Sequence, residues 1–304
     1  MPGEAGKSRL SHPNFSPCRF HSQKVKSQLA PLFFNIVKMA FPGRKYISKL
    51  SGNHILIFGG SSGIGYCVAE ASLEHGATVT ISGSGPAKLT AAVDKLKSTY
   101  PELAGGVHGY TCDLSQPQAL EANLETLFRN ACPDASSKLD HVVFCAGNAI
   151  KPVPITGATV DSFQAASYVR LLGSAMVAKL APKYLVPGPA SSITLTSGTM
   201  GDKGYPGLAA NSTYCVAREG LARALAIELA PVRVNCISPG AVRTPSLDAV
   251  PEEQREFVMA KLAKETLAGN MGTPEDLAEA YIYAMKDRFL TGSVIKSEGG
   301  RLLV

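Results

Sequence analysis

The 304-residue chain has no tryptophan, and only 18% of it is charged. It contains no run of about 18 apolar residues, so no helical membrane span is expected. Its seven cysteines (18, 67, 112, 132, 145, 215 and 236) are odd in number and scattered, without a Cys-x-x-Cys pair. That distribution argues against a zinc site or a disulfide framework and for a reduced compartment, here the cytoplasm. No repeat or internal linker interrupts the chain after residue 52, so one domain is expected there. With 29 Gly, 20 Pro and 45% hydrophobic residues, collagen-like, coiled-coil and wholly disordered readings are excluded. A chain of this length buries a large core without covalent or metal staples.

Acidic residues are nearly missing from the first fifty positions. Nine Lys/Arg stand there against Glu4 alone, whereas the remainder holds 21 basic and 23 acidic residues. The formal charge of +6 therefore belongs to the leader, and a nucleic-acid partner loses its main support. Residues 1–48 read as a basic, disordered extension that the fold does not need, with an upstream start before Met39 or a mitochondrial presequence as alternatives. Residues 49–304 read as the folded domain.

Short β-rich runs recur along that domain at His54–Phe58, Ala77–Ile81, Gly109–Cys112, His141–Cys145, Ser192–Thr196 and Arg233–Ile237. Helical stretches separate them. Leu89, Ala92, Val93 and Leu96 fall on one helical face, as do Leu120, Leu124, Leu127 and Phe128. Strands alternating with helices imply an α/β fold, a doubly wound parallel sheet covered on both faces.

The first strand runs directly into Gly59, Ser61, Ser62, Gly63, Ile64 and Gly65, which open a helix. Glycines there permit a tight turn and close backbone approach, so a pyrophosphate can rest on the helix N-terminus. The same residues spell Gly-x-Ser-x-Gly, the nucleophile elbow of hydrolases. That chemistry needs a histidine after its serine and its acid, and none follows His141 in the remaining half of the chain.

As an ordered set, these motifs resemble the short-chain dehydrogenase/reductase family. The loop matches its Gly-xxx-Gly-x-Gly fingerprint, with Phe58 where threonine is usual. Asp113-Leu114, Ala146-Gly147, Ser238 to Thr244, Gly272 to Asp276 and Glu298-Gly299-Gly300 follow in family order. The resemblance implies a Rossmann-type single domain, a nicotinamide cofactor, a small-molecule substrate and a homo-oligomer.

It also narrows the cofactor. The slot that usually carries an acid for the ribose 2′-OH holds Gly83. Hydroxyls of Ser82 and Ser84, with Lys88, can hold a 2′-phosphate, so NADP(H) is expected; the alternative is that the serines only cap a helix. By resemblance Asp113 bonds the adenine amino group, Ala146, Gly147 and Arg170 line the cofactor, and Pro239, Gly240, Val242 and Thr244 hold the nicotinamide amide and diphosphate. An ordinary turn aspartate is the other reading of Asp113.

The catalytic positions depart from the family, whose members use Asn, Ser, Tyr and Lys. Tyr214 and Arg218 mimic a Tyr-xxx-Lys pair, but the flanking register places Asn211 at the Tyr position, Cys215 at the Lys position and Gly198 at the Ser position. Arg170 replaces the asparagine. Asn211 offers no proton, and arginine keeps its own. Without an acid, reduction of plain ketones is disfavoured, whereas an iminium ion accepts hydride unaided. The expected activity is reduction of an imine, iminium or enone, with Arg170 for electrostatic positioning and Asn211, Thr199 and Tyr205 as hydrogen-bonding walls. The pattern resembles divergent fungal members that reduce imines in alkaloid pathways, some of which also template a cyclisation. A nucleotide-binding protein without redox chemistry is the rival. Leu247–Leu267 falls where the family places its substrate lid.

Overall fold

The computed structural model describes residues 44–150 and 152–304. The expected leader up to residue 43 lies outside the described residues. Seven strands, β1 (His54–Phe58), β2 (Thr78–Gly83), β3 (Val107–Thr111), β4 (His141–Phe144), β5 (Ser192–Thr196), β6 (Arg233–Pro239) and β7 (Val294–Ser297), form one sheet in the order β3-β2-β1-β4-β5-β6-β7. All six pairings are parallel. The helices are α1 (Gly63–Glu74), α2 (Pro86–Thr99), α3 (Leu120–Ala131), α4 (Val160–Ser167), α5 (Ser174–Leu180), α6 (Ala209–Glu228), α7 (Glu252–Lys264) and α8 (Pro274–Lys286).

Strand residues alternate between two cores. Leu56 and Phe58 of β1 pack with α3, α5 and α6 on one face. Ile55 and Ile57 pack with α1, α2 and α8 on the other. Because both faces are covered, β4, β5 and β6 are buried at every position; β4 is mostly apolar, while β5 alternates hydroxyl and aliphatic residues and β6 buries Arg233, Asn235 and Ser238. The expected face Leu120, Leu124, Leu127 and Phe128 is wholly buried.

Sequence and structure differ at the edges. β2 and β3 are displaced by one or two residues from the expected runs, and β6 extends to Pro239. β7 was not among the expected strands; it is a short edge strand with no fully buried residue, and only Val294 and Ile295 are apolar. The segment Tyr168–Gly173, expected as ordinary helix, is a π-helical turn between α4 and α5. Strand order reverses between β1 and β4, and the crevice outside their carboxyl ends is where such sheets bind ligands.

Candidate active site

That crevice is a cleft of about 700 Å³. The β1–α1 turn forms one end. Gly59 has φ +77° and Gly63 φ +57°, backbone that side chains rarely adopt. A Cβ at Gly59 would lie 2.7 Å from Ala146 Cα, and one at Gly65 would lie 2.4 Å from the Gly59 carbonyl oxygen. The loop is therefore tight against β4. Ser62, the N-cap of α1, makes no side-chain capping bond, so the first amides of the helix are left for an anion. Thr244 approaches this end, within 3.4 Å of where a Gly63 Cβ would stand.

Beside β2, Ser82, Ser84 and Lys88 line the cleft. The side chains of Ser84 and Lys88 make no hydrogen bond or ion pair among the described residues, and the N-cap of α2, Gly85, offers no side-chain cap. A Cβ at Gly83 would come within 2.9 Å of Ser61 Oγ. This corner fits a phosphate: hydroxyls, an ammonium and free helix amides converge, and Asp113 is the sole carboxylate among the described lining residues. Asp113 also serves as a turn residue, since its Oδ1 accepts from the Ser115 amide at 2.8 Å.

All seventeen residues expected to contact the cofactor line this one cleft. Of the expected catalytic residues, Arg170, Thr199 and Tyr205 line it as well. Asn211 does not. It borders a separate small cavity with Val153, Phe163 and Gly207, because the first turn of α6 carries position 211 away from the crevice; its expected role as a wall of the main cleft is corrected accordingly.

Arg170 projects from the π turn over Gly147. Its Nη2 donates to the Asn148 carbonyl at 2.7 Å, and its guanidinium carbon lies 2.3 Å from where a Gly147 Cβ would be. Burial, then the neighbouring Arg218 charge, lowers its pKa to about 10, so it is a cation at neutral pH. Thr199 spends its hydroxyl proton on the Pro239 carbonyl at 3.3 Å. Cys145, also in the lining, is held as a thiol, pushed up to about 11 by burial.

The residues of the apparent Tyr-xxx-Arg pair sit elsewhere. Tyr214 donates to the Phe163 carbonyl at 3.1 Å and does not line the cleft. Arg218 is buried and donates to the carbonyls of Thr196 and Tyr214 and to Cys215 Sγ at 3.2 Å. Cys215 faces Gly198: a Cβ there would lie 3.5 Å from its Sγ. Tyr205 is thus the sole phenol, and Lys88 the sole ammonium, among the described lining residues, and they come from different ends of the chain's cofactor and substrate elements.

Sequence reasoning missed two partners of Tyr205. Its hydroxyl donates to Glu265 Oε2 at 2.7 Å, and the Arg301 guanidinium lies over its ring at 4.2 Å. Arg301 lines the cleft too. Position 301 follows the Glu298-Gly-Gly signature, the only local sign of it. Leu247 and Leu262, from the expected lid, complete that wall.

Comparison with known proteins agrees with this architecture. A family model described as an SDR-like Rossmann domain matches residues 46–304. The short-chain dehydrogenase/reductase malC of Malbranchea aurantiaca is 41% identical over 264 residues, 86% of this chain and 99% of the relative. ATR9 of Stachybotrys chlorohalonatus, a short-chain dehydrogenase/reductase, is 38% identical over 254 residues, covering 84% and 98%. The solved structure of MalC reductase/Diels-Alderase superposes with a TM-score of 0.80 at 40% identity, covering 85% of this chain and all of that one. A small-chain dehydrogenase in complex with NADPH gives a TM-score of 0.65 at 26% identity, covering 84% of this chain and 100% of that one. The chain belongs to the short-chain dehydrogenase/reductase family.

Proposed function

We propose that this chain is an NADP(H)-dependent reductase acting on an imine, iminium or enone of a small secondary-metabolite substrate. The observation that carries the reading is the asymmetry of the cleft. Its cofactor end keeps the glycine turn, the open helix N-terminus and a β2 end without an acidic residue, whereas at its other end the lining phenol, Tyr205, donates its proton to Glu265. Ser82, Ser84 and Lys88 would hold the 2′-phosphate, and the α1 amides with Thr244 the diphosphate. The cofactor, when bound, supplies hydride.

The chain's own residues then define what can be reduced. Arg170 presents a fixed positive charge that stabilises negative charge developing on a substrate oxygen without giving up a proton. The Thr199 hydroxyl donates to the Pro239 carbonyl, and the Tyr205 hydroxyl donates to Glu265. With these two hydroxyls committed, we read the reaction as one that does without general acid catalysis, a contribution of about 10²–10⁴ in rate that ketone reduction needs. Acceptors that are already activated do without it.

A ring closure following reduction is a second element of the proposal, supported by the description of MalC as a reductase/Diels-Alderase at 40% identity. The test is NADPH oxidation against matched panels of ketones, enones and cyclic imines. Consumption with imines or enones and not with ketones is the expected result. Tight NADPH binding with no consumption across all three panels would replace the reading with a non-redox one.

A further inference from the structure

Tyr205, Glu265 and Arg301 come from three segments: the loop before α6, the residue after α7, and the C-terminal turn. Glu265 Oε2 receives the Tyr205 hydroxyl at 2.7 Å and Arg301 Nε at 3.4 Å. Arg301 Nη1 donates to the Lys203 carbonyl at 3.0 Å, which fixes the guanidinium on the tyrosine ring. The Tyr205 hydrogen bond, reinforced by Arg301, holds the Glu265 carboxyl below the usual range. Glu265 is therefore an ionised, acceptor-only partner, and the shared proton belongs to the phenol.

A phenol has one proton to donate, and Glu265 takes it. Tyr205 lines the cleft and Glu265 does not. We infer that Tyr205 is a specificity-determining residue that meets substrate as a hydrogen-bond acceptor only, selecting molecules with an N–H or O–H donor at the substrate end of the cleft. Arg170 is the complement, since a guanidinium only donates. A ligand matched to both carries a carbonyl and a nearby donor, as a secondary amide or lactam does. Glu265 and Arg301 are positioning residues that keep the phenol in this polarity. The inference rests on the proposed reading only in placing the substrate in this cleft.

The probes are an α,β-unsaturated δ-lactam with a free N–H and its N-methyl derivative. Their binding to the NADP⁺-loaded enzyme is followed by saturation-transfer NMR titration, and their turnover by NADPH oxidation. The N–H lactam should bind about tenfold more tightly than its N-methyl partner, the scale of one net hydrogen bond. In Tyr205→Phe the ratio should fall to within about twofold. Glu265→Ala, which frees the phenolic proton, should also shrink the ratio; a merely structural role would weaken both ligands equally. Equal binding in the unmodified enzyme, a ratio that survives Tyr205→Phe, or no binding of the N–H lactam would overturn the inference. Selective binding without NADPH consumption would sink the reductase reading and leave this one standing.

Discussion

Arg170 places a guanidinium in the cleft, held over Gly147 by the Asn148 carbonyl. Arg170→Ala removes a preorganised cation from the cleft and should lower kcat about 10²-fold. Because burial and Arg218 lower its pKa only to about 10, its contribution should be flat between pH 6 and 9. Tyr214→Phe forfeits one hydrogen bond to Phe163 and should change kcat less than about threefold, far short of the loss of a general acid. Steady-state rates on a true substrate check both; the reverse pattern would make Tyr214 the acid. At the other end of the cleft, Gly83→Asp sets a carboxylate beside Ser82 and Ser84. The new Cβ presses on Ser61 Oγ at 2.9 Å, a short side chain that can turn, so the charge dominates. Preference should pass from NADPH to NADH, with about tenfold or greater loss of NADPH affinity by fluorescence titration. The residues lining the end of the cleft with the glycine turn were legible because their motif order is rigid. Asn211 was misplaced because counting register gives a position in the chain and not the direction of a helix's first turn. Glu265 and Arg301 were missed because they meet Tyr205 only through tertiary contact, at sequence separations of 60 and 96.

Elements explain why that side chain points where it does. The π turn Tyr168–Gly173 inserts an extra residue per turn, re-aiming Arg170 relative to the helices on either side, a common device at functional sites. Nothing in Tyr-Val-Arg-Leu-Leu-Gly distinguishes it from α-helix, so it was invisible beforehand. The central strands were legible to within a residue or two from the β-branched and aliphatic residues that run through β1 and β4 and recur at alternate positions of β5. In β6, next to the edge strand β7, Arg233 is buried and donates to the carbonyls of Pro189, Ala284, Met285 and Leu290 at 2.7–3.2 Å. It thereby satisfies the last turn of α8, where a cation is favoured. Arg233→Ala strands these acceptors in the interior and should cost about 3–5 kcal/mol, read as a lowered urea midpoint. A loss under about 1 kcal/mol would show that water replaces the guanidinium.

Across the whole molecule, protonation ties stability to pH through buried imidazoles. His141 is buried in β4, bonded to Ser192 Oγ at 2.9 Å, and burial, then Arg233 and Arg288, lower its pKa from 6.5 to about 3. His54 is lowered as well, chiefly by burial. The native state therefore binds fewer protons than the unfolded chain. Stability from this source is fully present above pH 6.5 and is lost as the pH falls toward 3. For His141 the loss at pH 5 is about 2 kcal/mol. Urea unfolding at pH 7 and pH 5 should show this difference in the unmodified protein and a smaller one in His141→Gln. An identical pH dependence in both would place the acid sensitivity elsewhere.

The fit of Arg170 over Gly147 has a bearing on which substitutions the cleft can accept. The guanidinium occupies the volume that any side chain at 147 would need, while Cys215 lies 3.2 Å from the Arg218 guanidinium. A lysine at 215 would set two cations against each other in a buried place, and an asparagine at 170 would empty the space above Gly147. Each change alone forfeits a contact that the present arrangement makes, so positions 147, 170, 215 and 218 are expected to tolerate substitution only together.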